Sequence, residues 1–245
     1  MVLGKATMMV PGTLHGVGVG PGAPDLITLR AFRLITGAPV IAYPAPDSGE
    51  SFARSIVSDM LHPGKIEIPI IIPMRSERYP AAEVYDRAAA EIASQLDAGK
   101  DVVLLCEGDP FFYGSYMYVH DRLADRYHCE VVPGVTSPLA SSAVLGLPLV
   151  SRNDVLTVVP GPNEDASLRA QIEAADVTVI MKVGRHAKRI IALLDEMSLL
   201  DCAHYAERVT IDGAEFTCPL AELGERNVPY FSMIIVQRKT QRADV

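Results

Sequence analysis

Strand and helix signals alternate along the first half of the chain, and this alternation constrains the fold more than any other feature. The segment DVVLLC, residues 101–106, is a short apolar run of the kind that is buried on both faces of a sheet. A long helical pattern, AAEVYDRAAAEIASQLDAGK, precedes it at residues 81–100. Strands separated by helices indicate βαβ crossovers, so the sequence predicts an α/β fold with a parallel sheet.

The second half of the chain is predicted to form a separate domain. Its last segments, HYAERVTI, AEFTCPL and YFSMIIVQ, are strand-like with little helix between them. Consecutive strands favour a mixed or antiparallel sheet. We therefore expect two α/β domains, residues 1–132 with a parallel sheet and residues 133–245 with a mixed sheet.

Local signals set three further expectations. One helix is expected from Pro24 to Gly37, since proline favours a first turn and glycine an end. Another helix is expected to begin at Arg185. Pro69, within KIEIPIIIPM, favours an edge strand because proline cannot donate to a β-ladder.

Composition narrows the function classes. With 49% hydrophobic and 21% charged residues, the 245-residue chain has the composition of a globular protein. Its net charge of −8 provides no broad cationic face, which argues against nucleic acid as a partner. No apolar run reaches the roughly 18 residues of a membrane helix, and the scattered cysteines and histidines form no metal-ligand pattern. We therefore expect a cytoplasmic protein with no metal, membrane or nucleic-acid partner.

The stretch HGVGVGPGAPDLITL, residues 15–29, raises the question of a dinucleotide site. Such a site needs a G-x-G-x-x-G pattern between a strand and a helix, with backbone N–H groups aimed at a pyrophosphate. Gly18 and Gly20 begin that pattern, but Pro21 and Pro24 have no N–H to give. The acidic residue expected about 20 positions further on is also missing. These losses argue against a nicotinamide cofactor.

The stretch EGDPFFYGS, residues 107–115, directly follows the most strand-like run. Ligands of open α/β sheets bind beyond the carboxyl ends of the strands. Gly108 would let a ligand approach the main chain closely, and Asp109 offers an acceptor for amino or hydroxyl groups. Asp109 and Pro110 could equally be the cap and the first turn of a helix. The residues alone leave both alternatives open.

Three motifs in a fixed order, VGVGPGAPDLITLRA, EGDPFFYGS and EVVPGVTS, resemble the tetrapyrrole (corrin and porphyrin) methyltransferase family. The similarity extends along nearly the whole chain, and Pro21 is part of the family pattern. The variant EGDPFFYGSYMYV, followed by VVPGVTSPLASSAVLGLPL, is most similar to the branch that methylates C20 of precorrin-2 in cobalamin (vitamin B12) synthesis, giving precorrin-3A. Members that methylate C2 and C7 usually have GGDP here, where this chain has Glu107.

The resemblance implies a cofactor, S-adenosylmethionine, which becomes S-adenosylhomocysteine, bound in a cleft between the two domains. It also implies a tetrapyrrole substrate and a homodimer. Carried over position by position, the expected cofactor contacts lie in the five motifs that match the family. They are Pro21, Glu107, Gly108, Asp109, Phe112, Thr136, Ser137, Met181, Ala206 and Val209.

The acidic side chains of a tetrapyrrole need cations that the net charge does not provide. Candidates are Arg75, Arg78, Arg152, Lys182 and Arg185, each of which could instead be a solvated surface charge.

Methyl transfer from a sulfonium needs no protein nucleophile, so no catalytic residue is assigned. Members that methylate C2 and C7 carry an aspartate soon after the second strand, whereas this chain has Pro44 near that point, so no base carries over. The alternatives are C20 methylation of cobalt-precorrin-2, methylation of another corrin carbon, and a non-catalytic ligand sensor on the same fold.

Overall fold

The computed structural model of the chain describes residues 10–72 and 81–238. The chain divides into two compact units, Met1–Thr136 and Ser137–Val245, which we call the first and second units. The boundary that the sequence suggested, at Pro133, lies in the loop just before this division. Within the described residues no helix is long and apolar enough to cross a membrane.

The first unit contains one five-stranded sheet in which every strand is parallel to its neighbours. The strand order is β3-β2-β4-β1-β5. The strands are β1 Leu14–Gly18, β2 Val40–Pro46, β3 Ile66–Ile72, β4 Val102–Cys106 and β5 Cys129–Val132. Strand β4 is buried throughout, as its apolar run predicts. Strand β3 lies at an edge of the sheet, which confirms the expectation from Pro69.

Within the described part of the first unit, four helices flank this sheet. They are α1 Leu29–Gly37, α2 Phe52–Ile56, α3 Ala81–Asp97 and α4 Tyr116–Leu123. The prediction of one helix from Pro24 to Gly37 was wrong at its start, because Pro24–Leu26 forms a separate 3-10 turn. Thr28 has an extended backbone, and its hydroxyl accepts a hydrogen bond from the Ala31 N–H, so α1 begins only at Leu29.

Alternate residues of β4 build two cores, one on each face of the sheet. Val102, Leu104 and Cys106 pack against α3 and α4. Val103 and Leu105 pack on the opposite face with residues of α1 and α2. Because both faces are covered, ligands can reach this sheet only at the ends of its strands.

The second unit contains a mixed five-stranded sheet with the order β6-β7-β10-β8-β9. Strands β6 and β7 are parallel, and the other neighbouring pairs are antiparallel. The strands are β6 Leu156–Pro160, β7 Val177–Met181, β8 Ala203–Glu207, β9 Phe216–Pro219 and β10 Ser232–Gln237, and the helices are α5 Ser137–Leu145, α6 Asp165–Ala174 and α7 Ala187–Glu196. The prediction of two α/β domains, one with a parallel and one with a mixed sheet, is confirmed.

One helix boundary in the second unit also differs from the prediction. A 3-10 turn, Gly184–His186, precedes α7, so that helix begins at Ala187 and not at Arg185. The turn is closed by a hydrogen bond from the His186 N–H to the Val183 carbonyl. Arg185 therefore lies in a turn between strand and helix.

Candidate functional site

Three loops of the first unit meet where β4, β1 and β5 end. These strands are neighbours and parallel, so their carboxyl ends lie at the same edge of the sheet. The loops contain the three motifs that the sequence singled out, and we call residues 18–21, 107–109 and 134–136 the three-loop junction. Nothing in the linear spacing of these motifs requires them to meet, whereas the strand order does.

Backbone hydrogen bonds join the first two loops. The Gly108 N–H donates to the Gly20 carbonyl at 2.8 Å, and the Gly20 N–H donates to the Gly108 carbonyl at 3.3 Å. Both glycines have left-handed backbones, with φ values of +79° at Gly20 and +63° at Gly108. Residues with a side chain rarely adopt this conformation, so the reciprocal pair depends on glycine at both positions.

Two further glycines let the loops touch. A Cβ atom at Gly134 would lie only 2.0 Å from the Gly108 carbonyl oxygen, and one at Gly18 would lie 2.6 Å from the Gly134 nitrogen. The bare backbone after β1 therefore serves contact between loops. Pro21, which follows Gly20, is buried. The contact between loops explains why residues 15–29 are rich in glycine although they lack the N–H donors that a dinucleotide site needs.

Asp109 ties the second loop to the third. One of its carboxylate oxygens accepts a hydrogen bond from the Phe111 N–H at 2.9 Å, and the other accepts from the Gly134 N–H at 3.1 Å. The alternative that Asp109 and Pro110 begin a helix is wrong, because α4 begins only at Tyr116. The carboxylate instead fixes the positions of two loops relative to each other.

Glu107 is the first residue beyond β4 and is half-buried. The backbone N–H of Ala53, at the start of α2, donates a hydrogen bond to its carboxylate. Burial raises the pKa of Glu107, and the backbone hydrogen bonds oppose that shift only in part. Among the described residues, Glu107 has no ion-pair partner. The site thus contains an acid whose neutral form is favoured by its surroundings.

Aromatic rings and a hydroxyl complete the junction. Phe112 is half-buried, and its ring meets that of Tyr113 edge-on at 5.1 Å between centroids. Phe111 is 50% exposed and Tyr113 is 41% exposed, so they offer apolar surface beside Gly108. The Cα of Thr136 would lie 3.9 Å from a Cβ at Gly108. The structure thus brings together all six predicted contacts of the first unit.

In the second unit, β7 and β8 end and β10 begins along one edge of the sheet, at the carboxyl ends of β7 and β8. Strands β7 and β8 both run antiparallel to β10, which lies between them. Met181 and Ala206 are both in register with Met233, so these three residues form one row across the sheet. Val209 is buried just beyond β8. Three of the four contacts predicted in this unit therefore lie at this edge.

The fourth predicted contact, Ser137, is the first residue of α5. The hydroxyl of Ser141 lies 3.0 Å from the sulfur of Met233, so α5 packs against the middle of the row. Residues four apart lie on the same face of a helix, which places Ser137 on the Ser141 face. Among the described residues, no backbone hydrogen bond joins Ser137 to Met181, Ala206 or Val209.

Basic residues gather at the same edge of the second unit. Lys182 follows β7, Arg185 lies in the 3-10 turn after it, and Arg208 follows β8. We call these three residues the basic edge. Lys182 and Arg208 have left-handed backbones, with φ values of +56° and +47°, which is costly for residues with side chains. Such outliers are concentrated at functional sites.

A buried acid supports the basic edge. Glu207 is only 2% exposed, and its carboxylate accepts hydrogen bonds from the Tyr205 hydroxyl at 2.5 Å and from Arg226 at 2.7 Å. Burial acts to raise the pKa of Glu207, but the hydrogen bonds from Arg226 and Tyr205 outweigh it, and the pKa lies below the usual range. The Arg208 N–H donates to the Phe231 carbonyl, which fixes the turn after β8.

Of the other predicted cations, Arg152 is exposed in the loop before β6, which is distant in sequence from the basic edge. Arg75 and Arg78 lie outside the described residues. Sequence reasoning included Arg208 only as part of a cofactor motif and missed its proximity to Lys182. No spacing signal could have shown it, because β10, the last strand of the described residues, lies between β7 and β8.

Comparisons with known proteins agree on one family. The sequence profile of the Tetrapyrrole (Corrin/Porphyrin) Methylases matches residues 13–224. A curated cobalamin biosynthesis protein CobIJ from Mycobacterium tuberculosis is 41% identical over 96% of this chain. The match covers 48% of that relative, so the chain spans about half the length of CobIJ.

Two shorter relatives match over most of their length. A precorrin-2 C(20)-methyltransferase from Sinorhizobium sp is 40% identical, over 92% of this chain and 95% of the relative. A cobalt-precorrin-2 C(20)-methyltransferase from Salmonella typhimurium is 32% identical, over 95% of this chain and 99% of the relative.

Among solved structures, a uroporphyrin-III C-methyl transferase from Thermus thermophilus, complexed with S-adenyl homocysteine, superposes with a TM-score of 0.67. It is 26% identical, and the alignment covers 92% of this chain and 97% of that one.

Proposed function

Because the chain belongs to the tetrapyrrole (corrin/porphyrin) methylase family, we propose that it transfers a methyl group from S-adenosylmethionine to C20 of precorrin-2. The product would be precorrin-3A, an intermediate of cobalamin synthesis. The observation that carries this proposal is the 40% identity to a precorrin-2 C(20)-methyltransferase along nearly the full length of both chains.

The residues of the three-loop junction suit this cofactor. S-adenosylmethionine supplies a methyl group on a positively charged sulfur, which leaves as a neutral thioether. Glu107 follows directly on β4 at this junction, and Phe111 and Phe112 offer apolar surface to the cofactor. We propose that Pro21, Gly108, Asp109 and Thr136 complete the cofactor contacts of this unit.

The predicted contacts of the second unit extend the proposal. Met181, Ala206 and Val209 share one strand edge, and Ser137 begins the helix that packs on it. We propose that these four residues contact the cofactor as well. Replacement of Ala206, which is 1% exposed, by valine tests the proposal, with weaker binding of S-adenosylhomocysteine as the expected result.

The basic edge is proposed to bind carboxylates of the tetrapyrrole. The chain has a net charge of −8, so an acidic substrate must find a local cluster of cations. Lys182, Arg185 and Arg208 form such a cluster, and Glu207 beside them is already neutralised by Arg226. The strained backbones of Lys182 and Arg208 also favour a functional role for their side chains.

Positioning accounts for most of the catalysis in this proposal. Once the attacking carbon, the methyl group and the sulfur are held in line, no protein nucleophile is required. Holding two reactants in the correct geometry can contribute on the order of 7–11 kcal/mol to a reaction barrier. The rigid backbone contacts of the three-loop junction provide such a fixed frame for one of the two reactants.

A second candidate substrate is cobalt-precorrin-2, which the name of the Salmonella relative includes. The higher identity to the relative named for precorrin-2, 40% against 32%, favours the metal-free substrate. We also propose that the protein is cytoplasmic and that it forms a homodimer. Sedimentation of the purified protein tests the oligomeric state directly.

The decisive experiment uses precorrin-2, with and without cobalt, and a carbon-13 methyl donor, followed by NMR of the product. A labelled methyl group on C20 is the expected result. A label on another carbon would refute the C20 assignment, and the absence of both transfer and S-adenosylhomocysteine binding in calorimetry would refute the methyltransferase itself.

A further inference from the structure

Methylation at C20 requires a proton acceptor, since this carbon bears a hydrogen before the reaction. A C–C bond forms, the S–C bond breaks with its electron pair remaining on sulfur, and the C20–H bond breaks with its pair returning to the macrocycle. We propose that the carboxylate of Glu107 accepts this proton, an inference that rests on the proposed function.

Glu107 is placed where a reacting group of this unit would lie. It is the residue immediately before Gly108, and the reciprocal backbone bonds between Gly108 and Gly20 fix its main chain. Alternation along β4 puts its side chain on the face of Val103 and Leu105. The backbone N–H of Ala53 in α2 lowers the pKa of the carboxyl group, which places that group near α2, at the carboxyl ends of β4 and β2.

The other acids at this edge are poor acceptors. Both oxygens of Asp109 accept hydrogen bonds from backbone N–H groups of the loops. Asp25, Asp47 and Glu50 are exposed to solvent, unlike Glu107. Within residues 10–72 and 81–136, Glu107 is thus a half-buried acid of this edge that has no ion-pair partner.

The surroundings of Glu107 favour proton uptake. Burial raises its pKa, and the Ala53 N–H lowers it only in part. The titratable groups that interact with it, Cys106 on the same strand and Tyr85 on α3, are uncharged near neutral pH because burial raises their pKa values to about 11 and about 12. Arg54, the residue after Ala53, is paired with Glu67. A carboxylate that is destabilised by burial is a stronger base than one in water.

The pH dependence follows from the direction of this shift. The carboxylate form is the active base, and it is lost as the pH falls through the raised pKa. We therefore expect kcat/KM of the wild-type enzyme, which reports the pKa of the free enzyme, to decline on the acid side at a pH above the usual glutamate range of about 4.3. A carbon-13 NMR titration of the Glu107 side chain should show the same midpoint, and this measurement requires no substrate.

The variant Glu107→Gln keeps the shape of the side chain and removes its basicity. We expect kcat to fall about 10²–10⁴-fold, which is the usual contribution of a general base. The Kd of S-adenosylhomocysteine in calorimetry should change less than about threefold. Deuterium at C20 should slow the variant more than the wild type, because loss of the proton then limits the rate. Glu107→Asp, which keeps a carboxylate, should recover part of kcat.

The exposed acids of the same edge provide the matched controls, since Asp47→Asn and Glu50→Gln should leave kcat unchanged. Wild-type kcat in Glu107→Gln, or an NMR midpoint in the usual glutamate range, would overturn the proposal. A large rise in Kd with an unchanged kcat would overturn it too, by making Glu107 a cofactor ligand. If the wild type methylates a carbon other than C20, the proposed function fails first, and the product NMR separates that outcome from the others.

Discussion

At the carboxyl ends of β1 and β4 in the first unit the chain turns through Gly20 and Gly108, whereas the turns after β7 and β8 in the second unit contain Lys182 and Arg208. All four residues have left-handed backbones, which glycine adopts without strain and lysine and arginine do not. The first unit uses the conformation to let backbone contact backbone. The second uses it to place charged side chains, at a cost in stability. Backbone shape therefore decides the turns at Gly20 and Gly108, whereas the turns at Lys182 and Arg208 carry charged side chains despite the cost.

The strongest test of this comparison is Gly134→Ala. Its Cβ would collide with the Gly108 carbonyl and with the Gly18 Cα, both of which are backbone atoms that cannot rotate away. We expect the free energy of unfolding to fall by about 3 kcal/mol or more in denaturant titrations. Gly37→Ala, where a Cβ meets nothing within 4 Å, is the control and should change stability by less than about 1 kcal/mol. Equal stability of the two variants would break the comparison.

Asp109→Ala tests whether the loops of the first unit depend on a carboxylate as well as on glycine. The variant loses the acceptors of the Phe111 and Gly134 N–H groups. We expect a loss of about 2–3 kcal/mol in the free energy of unfolding. Asp109→Asn keeps one acceptor oxygen, so it should lose about half as much. If the two variants are equally stable, the carboxylate bridge does not hold the loops.

The support of the basic edge is tested by Glu207→Gln through its pH dependence. The pKa of Glu207 in the folded protein is lowered, so its stabilising contribution is complete above the unfolded pKa of about 4.3 and is lost as the pH falls through the folded value. In thermal unfolding at pH 7, the wild type should be more stable than Glu207→Gln. The difference in Tm between the two proteins should narrow as the pH falls below about 4. A difference that is independent of pH would contradict a charged Glu207.

The smallest effect is expected from Lys182→Gly, which sharpens the contrast between shape and charge. Relief of the left-handed backbone should stabilise the protein by about 0.5–1 kcal/mol. Loss of the ammonium group should raise KM for the tetrapyrrole several-fold. Ser198→Gly relieves a similar backbone, φ +56°, in the turn after α7, so it should give the stability gain without the change in KM. An unchanged KM in Lys182→Gly would show that Lys182 does not bind the carboxylates of the tetrapyrrole.

The order of elements in both units could be predicted because each strand and helix is encoded locally. Apolar runs such as Val102–Cys106 and helical periodicity such as that of Ala81–Asp97 depend on neighbours in sequence. The two helix starts that were wrong, at Pro24 and Arg185, fall where a 3-10 turn precedes the helix. The helix α1 begins at Leu29 because the Thr28 side chain caps it with a hydrogen bond. This cap competes with Pro24, which favours an earlier helix start.

The site could be predicted only as a set of motifs. That Asp109 reaches Gly134, or that β10 inserts between β7 and β8 and so joins Met181 to Ala206, depends on strand order, which no local signal encodes. The pKa of Glu107 likewise depends on burial and on the backbone of Ala53, which is far from it in the chain. Family resemblance supplied the positions of these residues, and the fold supplies their physical roles.

Pro69 has a consequence for behaviour during folding and storage. It lies in the middle of β3, at an edge of the parallel sheet, where Ile66 and Ile71 are exposed. An exposed edge with apolar side chains is a template on which a strand from another molecule can add and begin aggregation. The missing N–H of Pro69 interrupts the row of donors that such a strand would need. Pro69 therefore makes this edge a poorer template for intermolecular β-pairing than its exposed isoleucines alone would suggest.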